Sequence, residues 1–299
     1  MIKYIKRKDL NVEKYDHCID SSLNSRVYAF SWYLDIVADH WDVLVKGDYE
    51  AVMPLPWRQK YFIKYVYPPA WTQQLGVFSE NNVKPSLIKS FIEAIPNKFR
   101  KVSIQFNSQS KTKFKAIVRE NYILSLNGTY GEIRSKFRKD RKTRLNRVLR
   151  NNTLKLVKDI SVDQMFELFR NYYSDKVIVL NEDYQNLSSI FNSHEANVFL
   201  LGVYDENAVL LAASAFLKSK NRIVYLFSAS SPFGKKQQCS TLIINSVIEK
   251  YAGSGFILDF EGSMIPGVAS FYRSFGAKAE YYDNITLKKL PAFINFLRS

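Results

Sequence analysis

The sequence predicts a mixed α/β protein built from two tandem domains of similar design. The first observation is the length, because 299 residues are enough for two domains of about 150 residues each. The second is a repeated order of predicted elements, in which a helix precedes an antiparallel hairpin and a strand, a helix and a strand follow it. The third is the composition, since 46% hydrophobic residues supply a core for both halves.

The two hairpins are the strongest part of this repeat. In the first half, Trp41 to Pro56 has two alternating strands that meet at Gly47-Asp48. In the second half, Asn197 to Leu217 has the same organisation around an acidic turn. The helices predicted before the hairpins are Phe30–Ala38 and Val162–Tyr173. The elements predicted after them are Tyr61–Tyr67, Pro85–Ile95 and Lys101–Phe106 in the first half, and Arg222–Ser228, Gln238–Tyr251 and Phe256–Phe260 in the second.

A strongly basic segment separates the two halves. From Arg134 to Arg150 it contains nine basic residues and the single acid Asp140, in a chain of net charge +15. Thr129-Tyr-Gly-Glu132 has the spacing of a capping box, so one helix is predicted from Tyr130 to Arg150. Because like charges at this density repel, the segment predicts a bound polyanion. The expected boundaries are 1–128 for the first domain, 129–152 for the basic helix and 153–299 for the second domain.

Composition favours a cytoplasmic protein without a metal site. Cys18 and Cys239 are far apart and show no metal-ligand pattern, so neither a disulfide framework nor a metal is expected. Charged residues interrupt any apolar segment near the N-terminus, so no signal peptide is expected. The longest apolar stretch is too short for an integral membrane segment. His17, His40 and His194 stand in ordinary contexts, which argues against a Ser-His-Asp triad.

The segment from Phe256 to Tyr282 resembles a known family. Val268-Ala-Ser-Phe-Tyr-Arg-Ser-Phe-Gly-Ala277 is similar to the late motif of GNAT (N-acetyltransferase-like) proteins, where a helix with a Phe-Tyr pair ends at glycine and a strand follows. Asp259-Phe-Glu-Gly-Ser263 resembles the Asp-Phe-Gly-Gly-Ser element of the Fem-type (FemABX-like) peptidyltransferases, which are two fused GNAT domains. Many FemAB-like proteins also carry a basic helix just before the second domain.

The resemblance implies two tandem GNAT-like mixed-sheet domains that transfer an acyl or aminoacyl group to an amine. Fem proteins use aminoacyl-tRNA and other GNAT proteins use acyl-CoA, so the expected partner is tRNA or a phosphate-bearing small-molecule substrate. No tightly bound cofactor is expected. Aminolysis needs an acid for the leaving group, and the family position of that acid falls on Tyr272. Asp259 and Glu261 are the acidic candidates, at the carboxyl end of a strand where ligands commonly bind.

Donor-binding residues are expected in two places. Ser231–Thr241 stands where acetyl-CoA users have a glycine-rich turn that holds pyrophosphate, although it contains one glycine only. The candidates there are Gly234, Lys235 and Lys236, and the basic helix adds Arg138, Arg141 and Arg144. The acceptor candidates are Trp71, Gln73 and Gln74, in a loop that equally suits aromatic packing, and Ser263 of the Fem-like element.

Two alternatives to an aminoacyl transferase remain open at this point. One is an acetyl-CoA-dependent N-acetyltransferase with a divergent phosphate loop. The other is a non-catalytic RNA-binding or membrane-surface-binding protein on a degenerate transferase fold, because a fold does not dictate a function.

Overall fold

A computed structural model describes residues 1–173, 181–262 and 264–288 of the chain. The first elements are β1 (Ile2–Lys6), α1 (Val12–Ser21), α2 (Ser31–Val37), β2 (His40–Lys46), β3 (Ala51–Lys60), β4 (Ile63–Val66), β5 (Phe78–Ser79), α3 (Pro85–Glu93), β6 (Phe99–Gln105) and β7 (Ala116–Ser125). The later elements are α4 (Tyr130–Ser135), α5 (Lys139–Leu149), β8 (Lys155–Lys158), α6 (Val162–Tyr173), α7 (Asn181–Asn192), β9 (Asn197–Tyr204), β10 (Leu210–Ser219), β11 (Arg222–Ser230), α8 (Pro232–Lys236), α9 (Cys239–Tyr251), β12 (Ile257–Asp259), α10 (Pro266–Arg273) and β13 (Lys278–Lys288).

The chain forms two compact units that each take a strand from the other half of the sequence. Among the described residues, unit 1 contains Met1–Arg119 and Tyr281–Lys288, and unit 2 lies within Glu120–Glu280. The division falls within β7 and within β13. The domain boundaries at 128 and 152 remain predictions from the sequence.

Unit 1 is a mixed sheet with strand order β1-β2-β3-β4-β6-β13. The predicted first hairpin is confirmed, since β2 and β3 pair antiparallel. The C-terminal strand β13 pairs antiparallel with β6, and Ile285 lies opposite Ile104. Both side chains are buried in the apolar core of this unit, which also contains Phe91 and Ile92 of α3. The last strand of the chain thus completes the first unit.

Unit 2 has the strand order β7-β12-β11-β10-β9-β8. The predicted second hairpin is confirmed by the antiparallel pairing of β9 with β10. Strand β12 is parallel to β11 but pairs only with its first three residues, Arg222–Val224. Strand β11 continues to Ser230 beside β10, so β11 and β12 separate after Val224 and leave a space between them.

The predicted single basic helix is wrong. The segment forms two helices, α4 and α5, with Arg138 in an extended conformation as the N-cap of α5. The chain bends there because the backbone N–H of Arg138 donates to the carbonyl of Ser274 and the Phe137 ring packs edge-on against Phe275. The predicted capping box of Thr129 and Glu132 is confirmed at the start of α4.

The GNAT-like motif adopts the predicted local structure. Helix α10 ends at Arg273, and Gly276 follows with a φ of +79°, a left-handed conformation that glycine adopts without strain. Strand β13 begins two residues later at Lys278. In the described ranges, no helix combines the length and the apolar character needed to cross a bilayer.

Candidate active site

Unit 2 has a cavity of about 550 Å³ beside the part of β11 that continues beyond its pairing with β12, a volume typical of small-ligand sites. It lies beside the free part of β11, the beginning of α9 and one side of α10. The polar residues in its wall are Arg141, Arg144, Tyr173, Tyr225, Ser228, Ser230, Lys235, Gln238, Ser240, Thr241 and Tyr272. The wall therefore carries three cations, and no carboxylate belongs to it among the described residues.

Arg141 is the most unusual group in this wall. Its side chain is on the buried face of α5, and the residue is only 3% exposed. The guanidinium donates to Ser274 Oγ at 2.8 Å, to Gln238 Oε1 at 3.1 Å and to Thr241 Oγ1 at 2.5 Å. Because Gln238 and Thr241 form the N-terminal turn of α9, a buried cation lies at the positive end of that helix dipole.

Among the described residues, no carboxylate forms an ion pair with Arg141. Its guanidinium carbon lies 4.6 Å and 4.9 Å from the ring centres of Phe271 and Phe275, and it has no carboxylate partner within the described part of the chain. Burial, followed by the charge of Arg144, lowers the pKa of Arg141 to about 10. A buried cation without a counter-ion is costly, and an anionic group bound in the cavity would remove that cost.

Tyr272 lies on the same cavity, on the last turn of α10. Its ring stacks on Phe260, with centres 4.7 Å apart, and lies edge-on to Tyr225 at 6.3 Å. The hydroxyl forms no hydrogen bond to any described residue and is available to a ligand. Burial raises the pKa of Tyr272 well above its usual value near 10, and the neighbouring Tyr225 and Glu261 add to this effect. The phenol therefore remains protonated at neutral pH, as a proton donor requires.

Asp259 has a different environment from the one predicted for it. It is 2% exposed and forms a 2.6 Å ion pair with Arg222. Its second oxygen accepts the backbone N–H of Glu261 at 3.0 Å. Arg222 also pairs with Glu280 at 2.9 Å, so one guanidinium joins the ends of β11, β12 and β13 within unit 2. The geometry assigns Asp259 to the support of the sheet, because it does not belong to the cavity wall.

Glu261 lies just beyond the end of β12 in a left-handed conformation, with a φ of +58°. Its negative charge raises the pKa of Tyr272, so the carboxylate is near the phenol. Such a backbone conformation is uncommon for a residue with a β-carbon and often occurs at functional positions. Like Asp259, Glu261 does not belong to the cavity wall.

The predicted phosphate turn is a short helix, α8, and its three candidates have separate environments. Lys235 is exposed at the cavity, with Nζ 4.7 Å from the centre of the Tyr173 ring. Lys236 is exposed but does not belong to the cavity wall. Gly234 is buried against β10, where an added Cβ would lie 2.2 Å from the carbonyl oxygen of Leu211. Gly234 thus permits close packing and presents no backbone to a phosphate.

The three candidate arginines of the basic segment also have different environments. Arg141 and Arg144 belong to the cavity wall. Arg138 lies outside it, in a 2.5 Å ion pair with Asp140 and a 3.3 Å hydrogen bond to Ser270 Oγ. The exposed cations Lys139, Arg144 and Arg147 continue along α5, so the positive charge extends beyond what the cavity alone uses.

The acceptor candidates Trp71, Gln73 and Gln74 belong to unit 1. The carbonyl of Trp71 accepts the hydroxyl of Tyr33 at 2.5 Å. Gln74 is fully buried, where its amide donates to Gln73 and its Oε1 accepts the backbone N–H of Ser108. Gln74 therefore orders the loop. Ser263 lies outside the described residues.

Sequence reasoning missed the part of the site that β11 and α9 supply. Tyr225, Ser228 and Ser230 are on the free half of β11, and Gln238 precedes α9 with a φ of +62°. The pattern of Arg222–Ser230 indicates only a buried strand, because the separation from β12 is a property of pairing. The one signal available was Arg141, a cation within the apolar spacing of Ile133, Phe137 and Leu145.

No protein-family model and no curated protein matches the chain, but solved structures do. FemX aligns with a TM-score of 0.66 and 9% identity over 94% of this chain and 96% of FemX. L-PGS from Bacillus licheniformis aligns with a TM-score of 0.56 and 12% identity over 95% and 94%. N-myristoyltransferase of Saccharomyces cerevisiae with bound myristoyl-CoA aligns with a TM-score of 0.52 and 11% identity over 96% of this chain and 79% of the transferase.

These similarities establish the fold. The chain has the mixed α/β, GNAT-type fold of these structures, and the predicted fold class is confirmed. At identities of 9–12%, the similarity does not identify a substrate for this chain.

Proposed function

We propose that this protein is an acyl or aminoacyl transferase that uses the unit 2 cavity to move an acyl group from a phosphate-bearing donor to an amine. One observation carries the proposal: buried Arg141 and protonated Tyr272 share one cavity, and the first lacks a negative partner among the described residues. A donor phosphate beside Arg141 supplies the missing charge. Tyr272 supplies the proton that the leaving group needs.

The proposed reaction needs no external oxidant or metal. The amine attacks the carbonyl carbon of the donor, a C–N bond forms, and the bond from that carbon to the leaving oxygen or sulfur breaks. Tyr272 gives its proton to the leaving atom, and the proton lost by the amine passes to the tyrosinate, which restores the phenol. Among the described residues, no group of three or more His, Cys, Asp or Glu side chains could hold a metal ion.

Aminoacyl-tRNA is the donor that we propose, with acyl-CoA as the alternative. The side chains of Gln238 and Arg141 occupy the start of α9, and Gly234 is turned toward β10, so no glycine-rich backbone lies open for a pyrophosphate. The exposed cations of α5 continue past the cavity and fit a longer polyanion. Such a donor also places the reaction in the cytoplasm.

Thermal unfolding with candidate donors tests this proposal. A ligand at 100 times its Kd stabilises a protein by about 2.7 kcal/mol, which shifts the melting temperature measurably. We expect tRNA to raise the melting temperature, and the shift to shrink as the salt concentration rises. The logarithm of the binding constant should fall against the logarithm of the salt concentration with a slope of about −0.7 to −0.9 for each phosphate neutralised. A shift with acetyl-CoA alone replaces the donor by acyl-CoA. No shift with either contradicts the proposal and favours a non-catalytic protein.

Replacement of Arg141 by methionine is expected to weaken donor binding without weakening the fold. Methionine fills the space between Phe271 and Phe275 and removes a buried cation that has no counter-ion, so the free energy of unfolding should change by less than about 1 kcal/mol. The donor should bind about tenfold or more weakly, since one charge-assisted hydrogen bond is worth about 1.5–3 kcal/mol. Titration of the donor against each variant measures the affinity, and denaturant unfolding measures the free energy of unfolding.

Arg100→Met is the matched control, because Arg100 is exposed in unit 1 and its loss changes the net charge equally. Equal loss of affinity in the two variants would mean that only total charge matters, and the assignment of Arg141 would fail.

A further inference from the structure

The hairpin between β3 and β4 of unit 1 carries two exposed aromatic side chains at its tip. Lys60 pairs with Ile63, so Tyr61 and Phe62 form a two-residue turn. Tyr61 is 83% exposed and Phe62 is 96% exposed. Apolar side chains this large are normally covered, and three in succession, with Ile63 at 43%, form a protruding apolar tip.

The backbone of this tip is strained for the residues that it contains. Tyr61 has a φ of +46° and Phe62 a φ of +64°, as a type I′ turn requires at both central positions. Asn-Gly is the sequence that fits such a turn, whereas bulky residues are outliers there. The aromatic pair therefore disfavours the turn and remains largely exposed, which indicates a function outside the fold of the chain.

Two lysines flank the tip. Lys60 lies beside it, with Nζ 5.4 Å from the centre of the Tyr61 ring, and Lys64 follows on β4. In the described part of the chain, neither Lys60 nor Lys64 forms an ion pair with a carboxylate.

We propose that the Tyr61–Phe62 hairpin tip inserts into the surface of an anionic phospholipid bilayer. The phenyl ring and Ile63 enter the acyl region, Tyr61 lies at the level of the headgroups, and the lysines contact anionic headgroups. Ile63 favours lipid over nucleic acid, because an aliphatic side chain adds to an apolar wedge but offers no face for base stacking. The tip belongs to unit 1 and the transfer cavity to unit 2, so each proposal can fail without the other.

Sedimentation of the purified chain with vesicles tests the insertion. We expect binding to vesicles of phosphatidylglycerol and phosphatidylcholine, and little binding to phosphatidylcholine alone. The double variant Tyr61→Asn with Phe62→Gly should bind about tenfold or more weakly, since it removes the apolar area of both rings. The same variant should melt at an equal or higher temperature, because Asn-Gly suits the turn. Loss of binding then cannot result from unfolding.

Leu23→Asn is the matched control, because Leu23 is also an exposed apolar residue of unit 1, at 67%. It should bind vesicles as the unaltered chain does. Replacement of Lys60 or Lys64 by glutamine should weaken binding about fivefold each. Equal binding by the Asn-Gly variant and the unaltered chain, or equal binding to both kinds of vesicle, overturns the proposal.

An environment-sensitive dye reports the position of the tip directly. Cys18 and Cys239 are both buried, so a dye on Phe62→Cys labels the tip selectively, and Leu23→Cys provides the matched site. With anionic vesicles we expect a blue shift of the dye emission at position 62 and none at position 23. The absence of a shift at position 62 overturns the proposal. A shift with tRNA but not with vesicles also overturns it and assigns the tip to nucleic acid.

Discussion

Replacement of Tyr272 by phenylalanine is expected to lower kcat about 10²–10⁴-fold, the usual contribution of a general acid. The substitution removes the hydroxyl and keeps the ring, which stacks on Phe260 and lies edge-on to Tyr225. The cavity should therefore keep its shape, and donor affinity should change little. Steady-state and single-turnover kinetics with the donor that the binding experiment identifies measure this separation of kcat from binding.

The pH dependence of the same reaction gives an independent test. Burial, Tyr225 and Glu261 all raise the pKa of Tyr272 above its usual value near 10. The protonated, active form of the acid then persists at neutral pH and past the pH at which a free tyrosine ionises. We expect no loss of rate from this group below about pH 10, and a basic limb above that pH should be absent in Tyr272→Phe.

Two further variants show whether the effect belongs to Tyr272. Tyr130→Phe removes a hydroxyl that bonds Asn245 at 2.9 Å, away from the cavity, and should retain the rate. Tyr225→Phe alters a second phenol of the cavity wall. If this variant loses the rate and Tyr272→Phe keeps it, Tyr225 is the proton donor and the assignment of Tyr272 is incorrect.

The sequence predicted the elements of the fold better than their arrangement. The alternating pattern of Trp41–Pro56 and Asn197–Leu217 determines two hairpins, because strand patterning and turn chemistry are local. The exchange of β7 and β13 between the units is not local. Ile285 has the pattern of a buried strand residue, but nothing in its neighbourhood indicates that Ile104, far earlier in the chain, lies opposite.

The candidate site shows the same division. Tyr272 was predicted from a short motif, and the structure places it on the cavity. Arg141 was predicted as one of several cations, although its position on the apolar spacing already distinguished it. The cavity itself depends on the pairing of β12 with β11 ending at Val224, and no property of either strand sequence specifies where that pairing stops.

The largest loss of stability is expected from Arg222→Met. Arg222 is buried between Asp259 at 2.6 Å and Glu280 at 2.9 Å. Burial lowers the pKa of its guanidinium, but the two carboxylates outweigh burial and raise it. Methionine would leave two carboxylates close together without a cation, and removal of one member of a buried pair costs about 3–5 kcal/mol. Thermal and denaturant unfolding measure the change.

Lys14→Met is the control for this prediction, because it breaks the exposed ion pair of Lys14 with Asp48 and should leave the free energy of unfolding nearly unchanged. If both variants unfold at the temperature of the unaltered chain, the buried network does not support the sheet.

Asp259→Asn separates the support of the sheet from a direct part in the reaction. Glu280 still pairs with Arg222 in this variant, and asparagine can keep the bond from the N–H of Glu261, so a smaller loss of about 1–3 kcal/mol is expected. Below its melting temperature the folded variant should retain its kcat, since Asp259 lies outside the cavity wall. A fall in kcat comparable to that of Tyr272→Phe, with the fold intact, would instead assign Asp259 to the chemistry.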